Sequence, residues 1–173
     1  MDVKLFPTKR MRTTERYYSF DPRRLALLAV GMLRMVGVED DATLLDWQRV
    51  HNEIIPTAPL SVDEIRERAT RNVLEVAYDD DVLVGCSTVR PPSEETAAAV
   101  VIARVLPAYR RRGFGTAIYE HCLRRGRELG DGIETHILSS NVDGLAFAKA
   151  RGFVEVETYL LPGDTIPFVE LRL

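Results

Sequence analysis

Lysine is scarce in this chain: it occurs only at Lys4, Lys9 and Lys149, and arginine carries nearly all of the positive charge. With 26 acidic residues against 23 basic ones the net charge is −3. No strong cationic field is present to hold nucleic acid or an anionic membrane, and neither is expected as a partner. Cysteine is limited to Cys86 and Cys122, too few for a disulfide scaffold and without metal-ligand spacing, so no metal is expected. Both fall in predicted regular elements, which suits buried thiols in a reducing cytoplasm. No apolar run is long enough to span a bilayer. Arg23-Arg24 before Leu25–Leu33 imitates the start of a signal peptide, but Arg34 interrupts the run and no clear small-residue cleavage site follows. Repeats and low-complexity tracts are also lacking. What is left is a chain of 173 residues, 46% hydrophobic and 28% charged, with the size and composition of one soluble globular domain.

Around the stretch Val105 to Thr116 two phosphate-binding signatures are missing. No Lys-Ser/Thr pair follows the second glycine, which excludes a Walker A loop, and the third glycine of a dinucleotide fingerprint is replaced by Ile118. The stretch still has the makings of an anion site. The apolar run Ala97–Ala103 before it reads as a buried strand, and the residues after it carry a helical apolar period at Ile118, Tyr119, Cys122 and Leu129. Between them lie Arg110, Arg111 and Arg112 followed by Gly113-Phe-Gly115. A glycine-rich turn at a helix start, with free N–H groups and nearby guanidinium groups, suits a phosphate or pyrophosphate. A charge cluster elsewhere would be a solvated run.

The remaining elements follow from periodicity and caps. A strand over Leu33–Val38 precedes a helix capped by Asp40 or Asp41 and running to about Asn52. The sequence Ser61-Val-Asp-Glu64 is a capping box for a second helix, ending near Arg71. Strands at Val73–Tyr78 and Val82–Val89 form a hairpin across Asp79–Asp81, and the Ala97–Val105 strand and the central helix follow. After them come a strand at Ile133–Leu138, a helix at Val142–Arg151 stopped by Gly152, and two strands, Phe153–Leu161 and Ile166–Leu173. Residues 1–30 stand apart as an N-terminal extension in which Asp21-Pro22 is a good start for a short helix. The order β-α-α-β-β-β-α-β-α-β-β predicts an α/β mixed sheet with helices on both faces.

The segment Arg110-Arg-Arg-Gly-Phe-Gly115 resembles the Arg-x-x-Gly-x-Gly signature of the GNAT superfamily of N-acetyltransferases, and Val105-Leu-Pro107 matches the element before it. The block Asn141-Val-Asp-Gly-Leu-Ala-Phe-Ala-Lys-Ala-Arg-Gly-Phe153 is similar to the family's Asn-x-x-Ala…Gly-Phe block. The resemblance covers about residues 33–173 and implies a single GNAT acyltransferase domain over 31–173, its mostly antiparallel sheet splayed between strands 4 and 5. It further implies acetyl-CoA as cosubstrate and an amine acceptor of unspecified identity, with a homodimer as one assembly open to it. A non-catalytic acyl-CoA sensor is the alternative. The cofactor residues carried over are Val105, Leu106, Arg110, Arg111, Arg112, Gly113, Phe114, Gly115, Thr116 and Asn141. In the family, backbone groups freed near Val105 and Leu106 pair with the pantetheine arm, and one freed N–H can hold the oxyanion. Asn141 fits both a helix N-cap and a contact to the cofactor arm.

Proton transfer is less well marked. The Ala97–Val105 strand has no carboxylate, and Ala148 stands where the family often has a tyrosine acid. His136, five residues before Asn141, has a suitable pKa for a base, although a hydrogen-bonded structural histidine on a half-buried sheet face is the somewhat better fit. Glu134 on the same strand face is the second candidate. Tyr119 is a candidate acid that also fits a core position. Trp47, His51 and Asn52 near the end of the first helix are core, cap or acceptor-wall positions.

Overall fold

The computed structural model describes residues 33–94 and 96–173; the expected N-terminal extension and its short helix lie outside the described residues. One seven-stranded sheet organises the chain, built from β1 (Leu33–Gly37), β2 (Val73–Asp79), β3 (Val82–Arg90), β4 (Ala98–Val105), β5 (Gly132–Leu138), β6 (Val154–Tyr159) and β7 (Phe168–Arg172). The spatial order is β1-β2-β3-β4-β5-β7-β6. Among the described residues only β4 and β5 run parallel, because the connection between them is the crossover helix α3 (Phe114–Leu129). The other neighbours are antiparallel hairpins or returns.

Helices α1 (Asp41–Ile54) and α2 (Val62–Ala69) lie on one face. Both begin with reciprocal capping boxes, Asp40 with Thr43 and Ser61 with Glu64, which satisfy N–H groups that the first turn leaves open. Leu44, Trp47, Val50 and Ile65 point inward and close a core with Leu74, Val76 and Cys86 of the sheet. On the opposite face α3 and α4 (Val142–Lys149) bury Phe114, Ile118, Tyr119, Cys122 and Ala148 against Ala99, Val101, Ile133, Val169 and Leu171. Helix α3 lies tight on β4 at Gly126, where a Cβ would come within 2.7 Å of Val101 Cγ1. This is the mixed, mostly antiparallel, two-sided fold that the element order predicts.

The two middle strands pair over a short length. The β4–β5 ladder covers Ala98–Gly132, Ala99–Ile133 and Val100–Glu134, whereas β4 stays paired with β3 as far as Val105. From Val101 onward β4 therefore presents an edge with no β5 neighbour, and the sheet opens there into a wedge. Among the described residues no helix is long and apolar enough to cross a membrane.

Candidate active site

Backbone phase decides what the open edge of β4 offers. Leu106 N–H donates to Val84 O at 2.9 Å, directly opposite in register. Alternate residues of an antiparallel strand bond to the same neighbour, so Arg104 spends its N–H and C=O groups on β3, while Leu106 gives its N–H to β3 and its carbonyl accepts from Tyr109 N–H at 2.9 Å. Ala103 and Val105 turn theirs toward the wedge. Of Val105 and Leu106, both expected to offer free backbone groups, only Val105 turns its groups toward the wedge, and its carbonyl already accepts from Arg110 Nε at 3.2 Å. Leu106 is buried in the α1–α2 core.

The arginine loop follows a single 3-10 turn at Pro107–Tyr109. Gly113 is the N-cap of α3 with φ +94°, a left-handed conformation in which a side chain is strained, and Arg111 also has a positive φ of +63°. The helix starts at Phe114, earlier than the sequence suggests. Thr116 N–H and Ala117 N–H already bond to Gly113 O, so free amide donors end at Gly115, and Thr116 N–H is not among them. Phe114 buries its ring in the core, which leaves only its N–H for a ligand. Gly115 lies inside the helix, where an added Cβ would make ordinary contacts of 3.7 Å with Phe147 and Val105.

A groove of about 490 Å³ runs over this loop, with Ala103, Arg104, Val105, Arg110, Arg111, Gly113, Gly115 and Thr116 on one bank. Asn141, Asp143, Gly144, Phe147 and Arg151 form the other. Arg112 is not part of it; its guanidinium lies over the Tyr109 ring at 5.5 Å. Arg151 is a groove residue the sequence reasoning missed. It donates to Thr116 Oγ1 at 2.7 Å and lies 3.3 Å above the Phe147 ring. Asn141 caps α4 by accepting from Gly144 N–H at 3.0 Å, and its side chain borders the groove as well.

The groove continues into the wedge as a cavity of about 310 Å³, sharing Arg104, Arg110, Asn141 and Phe147 with it. His136 and Tyr119 both line this cavity, beside Ala148. His136 Nδ1 lies 3.0 Å from the Tyr159 hydroxyl, and the two rings meet edge to face. Burial lowers the His136 pKa below its ordinary 6.5, and Arg90 lowers it further against the pull of Glu134. The imidazole is neutral at neutral pH. Tyr119 packs between Phe147 and Phe153, and burial raises its phenol pKa.

Glu134 is held elsewhere. Its carboxylate is 2% exposed, pairs with Arg172 across the β5–β7 ladder, and accepts from Thr96 Oγ1 at 3.2 Å. Its Oε1 and its charge are engaged by Thr96 and Arg172, and it does not line the cavity as a second base would. Donor atoms of Glu134, His136 and Glu170 lie within 4.8 Å of one another, but Arg172 already supplies the cation beside the two carboxylates. On α1, His51 is buried, stacks on Trp47 at 5.1 Å and contacts Ala58 O at 3.2 Å. Asn52 clamps the backbone of Leu60 in both directions. These α1 residues shape the loop after the helix and do not line the cavity.

A splayed β4–β5 pair, a glycine-capped helix start beside it, and an Asn-capped helix opposite are the parts the two sequence blocks call for. The family model of the acetyltransferase (GNAT) family matches residues 40–153. This chain belongs to the GNAT acetyltransferase family. Its likeness to the probable N-acetyltransferase san of Drosophila melanogaster is 32% identity over 88 residues. That match takes in 49% of this chain and spans 48%, about half, of the fly protein's length. Two solved structures share its fold. Arabidopsis thaliana Naa50, in complex with the bisubstrate analogue CoA-Ac-MVNAL, superposes with a TM-score of 0.66 at 21% identity, over 82% of this chain and 97% of that one. The Salmonella typhimurium protein yncA, solved with its cofactor acetyl-CoA, superposes with a TM-score of 0.65 at 13% identity, over 82% and 92%.

Proposed function

We propose that this GNAT protein, as one acyltransferase domain over residues 31–173, moves an acetyl group from acetyl-CoA to a primary amine by direct attack in a ternary complex. The observation that carries the reading is the continuity of the arginine groove with the wedge that holds His136. The pyrophosphate sits on the free N–H groups of Arg111 to Gly115, with the Arg110 and Arg111 side chains and Arg151 beside it. The pantetheine arm runs along the open edge of β4, and the thioester carbonyl meets a backbone N–H of Ala103 or Val105. Asn141 borders the arm.

An amine attacks only in its neutral form, so the proton it sheds must be accepted. His136 is the base: in the tautomer whose Nδ1–H donates to the Tyr159 oxygen, Nε2 is left as the acceptor. The amine nitrogen bonds to the thioester carbon, the C–S bond breaks, and the CoA thiolate departs. Tyr119, neutral because burial raises its pKa, is placed to return a proton to sulfur where Ala148 leaves no hydroxyl. Glu134 has no part in this scheme. The buried free thiols of Cys86 and Cys122, pushed up to about 11 and about 12 by burial, are inert and support a cytoplasmic setting.

The test is release of free CoA with a broad amine panel, in wild type and His136→Ala. Turnover is expected to fall on the order of 100-fold in the variant, in keeping with general-base contributions, with unchanged calorimetric affinity for acetyl-CoA. Binding of acetyl-CoA with no CoA release from any amine would replace the transfer reading by the sensor one. An unaltered pH–rate profile in His136→Ala would remove it as base.

A further inference from the structure

Arg104 is the one charge in an otherwise apolar strand, Ala98–Val105. It is 9% exposed, yet among the described residues no carboxylate lies within ion-pair distance of it. Its guanidinium bonds to Thr88 Oγ1 at 3.4 Å and to the Cys86 side chain, and lies over the Trp47 ring at 5.8 Å. A guanidinium has five N–H donors and stays protonated in proteins. Burying that charge with only a hydroxyl, a thiol and a ring face as partners is costly, and buried charges are ordinarily paired. Arg104 therefore carries a charge and several donors that the fold does not use.

The surroundings add to the imbalance. Arg90 on β3 and Arg68 on α2 bear on the Arg104 and His51 environment with the same sign. The nearest buried carboxylate on this face of the sheet, Glu134, is spent on Arg172. The cavity that Arg104 shares with His136 is lined by two arginines, Arg104 and Arg110, and by no Asp or Glu. Arg110 belongs to the pyrophosphate loop. Arg104 shares a sheet face with Glu134 and His136, since Val100 pairs with Glu134 and alternate residues face the same way, and its side chain runs under α1, away from the loop. At about 310 Å³ the cavity is at the lower end of small-molecule sites.

We infer that the acceptor is a small amino acid, an amine that carries an anionic oxyacid group, and that Arg104 holds this group while His136 faces the amine. A planar carboxylate takes two parallel N–H bonds from a guanidinium, the geometry lysine cannot offer. Both partners lose their desolvation cost together, and a neutral amine of the same shape leaves Arg104 buried and unpaired. Discrimination against the neutral analogue is then steep, as in sites built around a buried polar group. The inference rests on the acetyl-transfer reading of the same cavity.

The experiment compares kcat/KM for L-alanine, L-leucine and L-methionine with their carboxamides, in wild type and in Arg104→Met and Arg104→Lys. β-Alanine and 4-aminobutanoate report the spacing between amine and anion, and 1-aminoethylphosphonate against L-alanine separates a phosphoryl group from a carboxylate. Wild type is expected to favour acid over amide on the order of 100-fold, the loss seen when one partner of a buried charged pair is removed. Arg104→Met should bring the ratio close to one by lowering the acids far more than the amides, and Arg104→Lys should recover part of it. Equal kcat/KM for acids and amides in wild type overturns the inference even if every variant fails to fold. So does an Arg104→Met protein that loses acids and amides alike. If acetyl-CoA binds and no amine releases CoA, the transfer reading has failed instead. Titration of the same acids and amides into the acetyl-CoA complex then decides the anion subsite by itself, with acid-selective binding lost in Arg104→Met supporting it and unselective binding overturning it.

Discussion

Gly113 and Gly115 look alike in the sequence, and the structure assigns them opposite effects on stability. Gly113 is the α3 N-cap at φ +94°. An alanine there carries its Cβ into the left-handed region at a cost of about 1–2 kcal/mol. For a protein of this length each kcal/mol moves the melting temperature by about 2–4 °C, so Gly113→Ala should melt about 2–8 °C below wild type. Gly115 has helical backbone, and its new Cβ would meet Phe147 and Val105 at 3.7 Å, an ordinary contact. Removing a glycine from a helix gains about 0.5–1 kcal/mol, so Gly115→Ala should melt about 1–4 °C above wild type. The same methyl would stand between two residues that line the cofactor groove. Acetyl-CoA affinity should therefore fall by at least about tenfold, or 1.4 kcal/mol, in the more stable variant. Differential scanning calorimetry of the ligand-free proteins and isothermal titration with acetyl-CoA read the two quantities separately. A Gly113→Ala protein that melts with wild type would refute the strained turn. A Gly115→Ala protein that binds acetyl-CoA normally would take that residue off the cofactor surface.

Acid should unfold this protein partly through His51. Burial and the nearby Arg104 depress its pKa from 6.5 to about 3, so the folded state binds fewer protons than the unfolded one below pH 6.5. The stability it secures is complete above 6.5 and falls as pH drops toward 3, by about 1.4 kcal/mol per pH unit. His51→Phe keeps the stack on Trp47 and should flatten urea-derived stability between pH 6 and 5 by about 1 kcal/mol; an unchanged acid slope would contradict the burial argument. Glu134→Gln should cost about 1–3 kcal/mol of stability, at the low end because the Arg172 side chain is 51% exposed and can return to water. Its kcat at saturation should match wild type, and a loss of turnover in a stably folded variant would restore Glu134 to the candidate bases.

Caps and periodicity made most of the fold legible. Ser61 with Glu64 and Asp40 with Thr43 mark helix starts by side chains within three residues of each other, and the apolar spacing of Ile118, Tyr119 and Cys122 marks the face of α3 that packs on the sheet, whereas Leu129, expected on that face, is exposed and Gly126 lies there instead. The start of α3 is hidden in the sequence because Gly113-Phe-Gly reads as loop, whereas the left-handed Gly113 turns the chain in a single residue. Arg104 carried a visible signal, a lone charge at the end of an apolar strand, but the apolar residues before it drew the reading. Arg151 carried none: its partner Thr116 lies 35 residues away.

The sequence by itself determined the elements, their order and the anion-binding turn, because each depends on residues a few positions apart. Only the tertiary structure decided which groups are free. Leu106 loses its N–H to Val84, Glu134 loses its charge to Arg172, and Arg104 is left without a carboxylate. Those outcomes depend on strand phase and on partners brought together by the sheet, and a strand shifted by one residue would exchange them all.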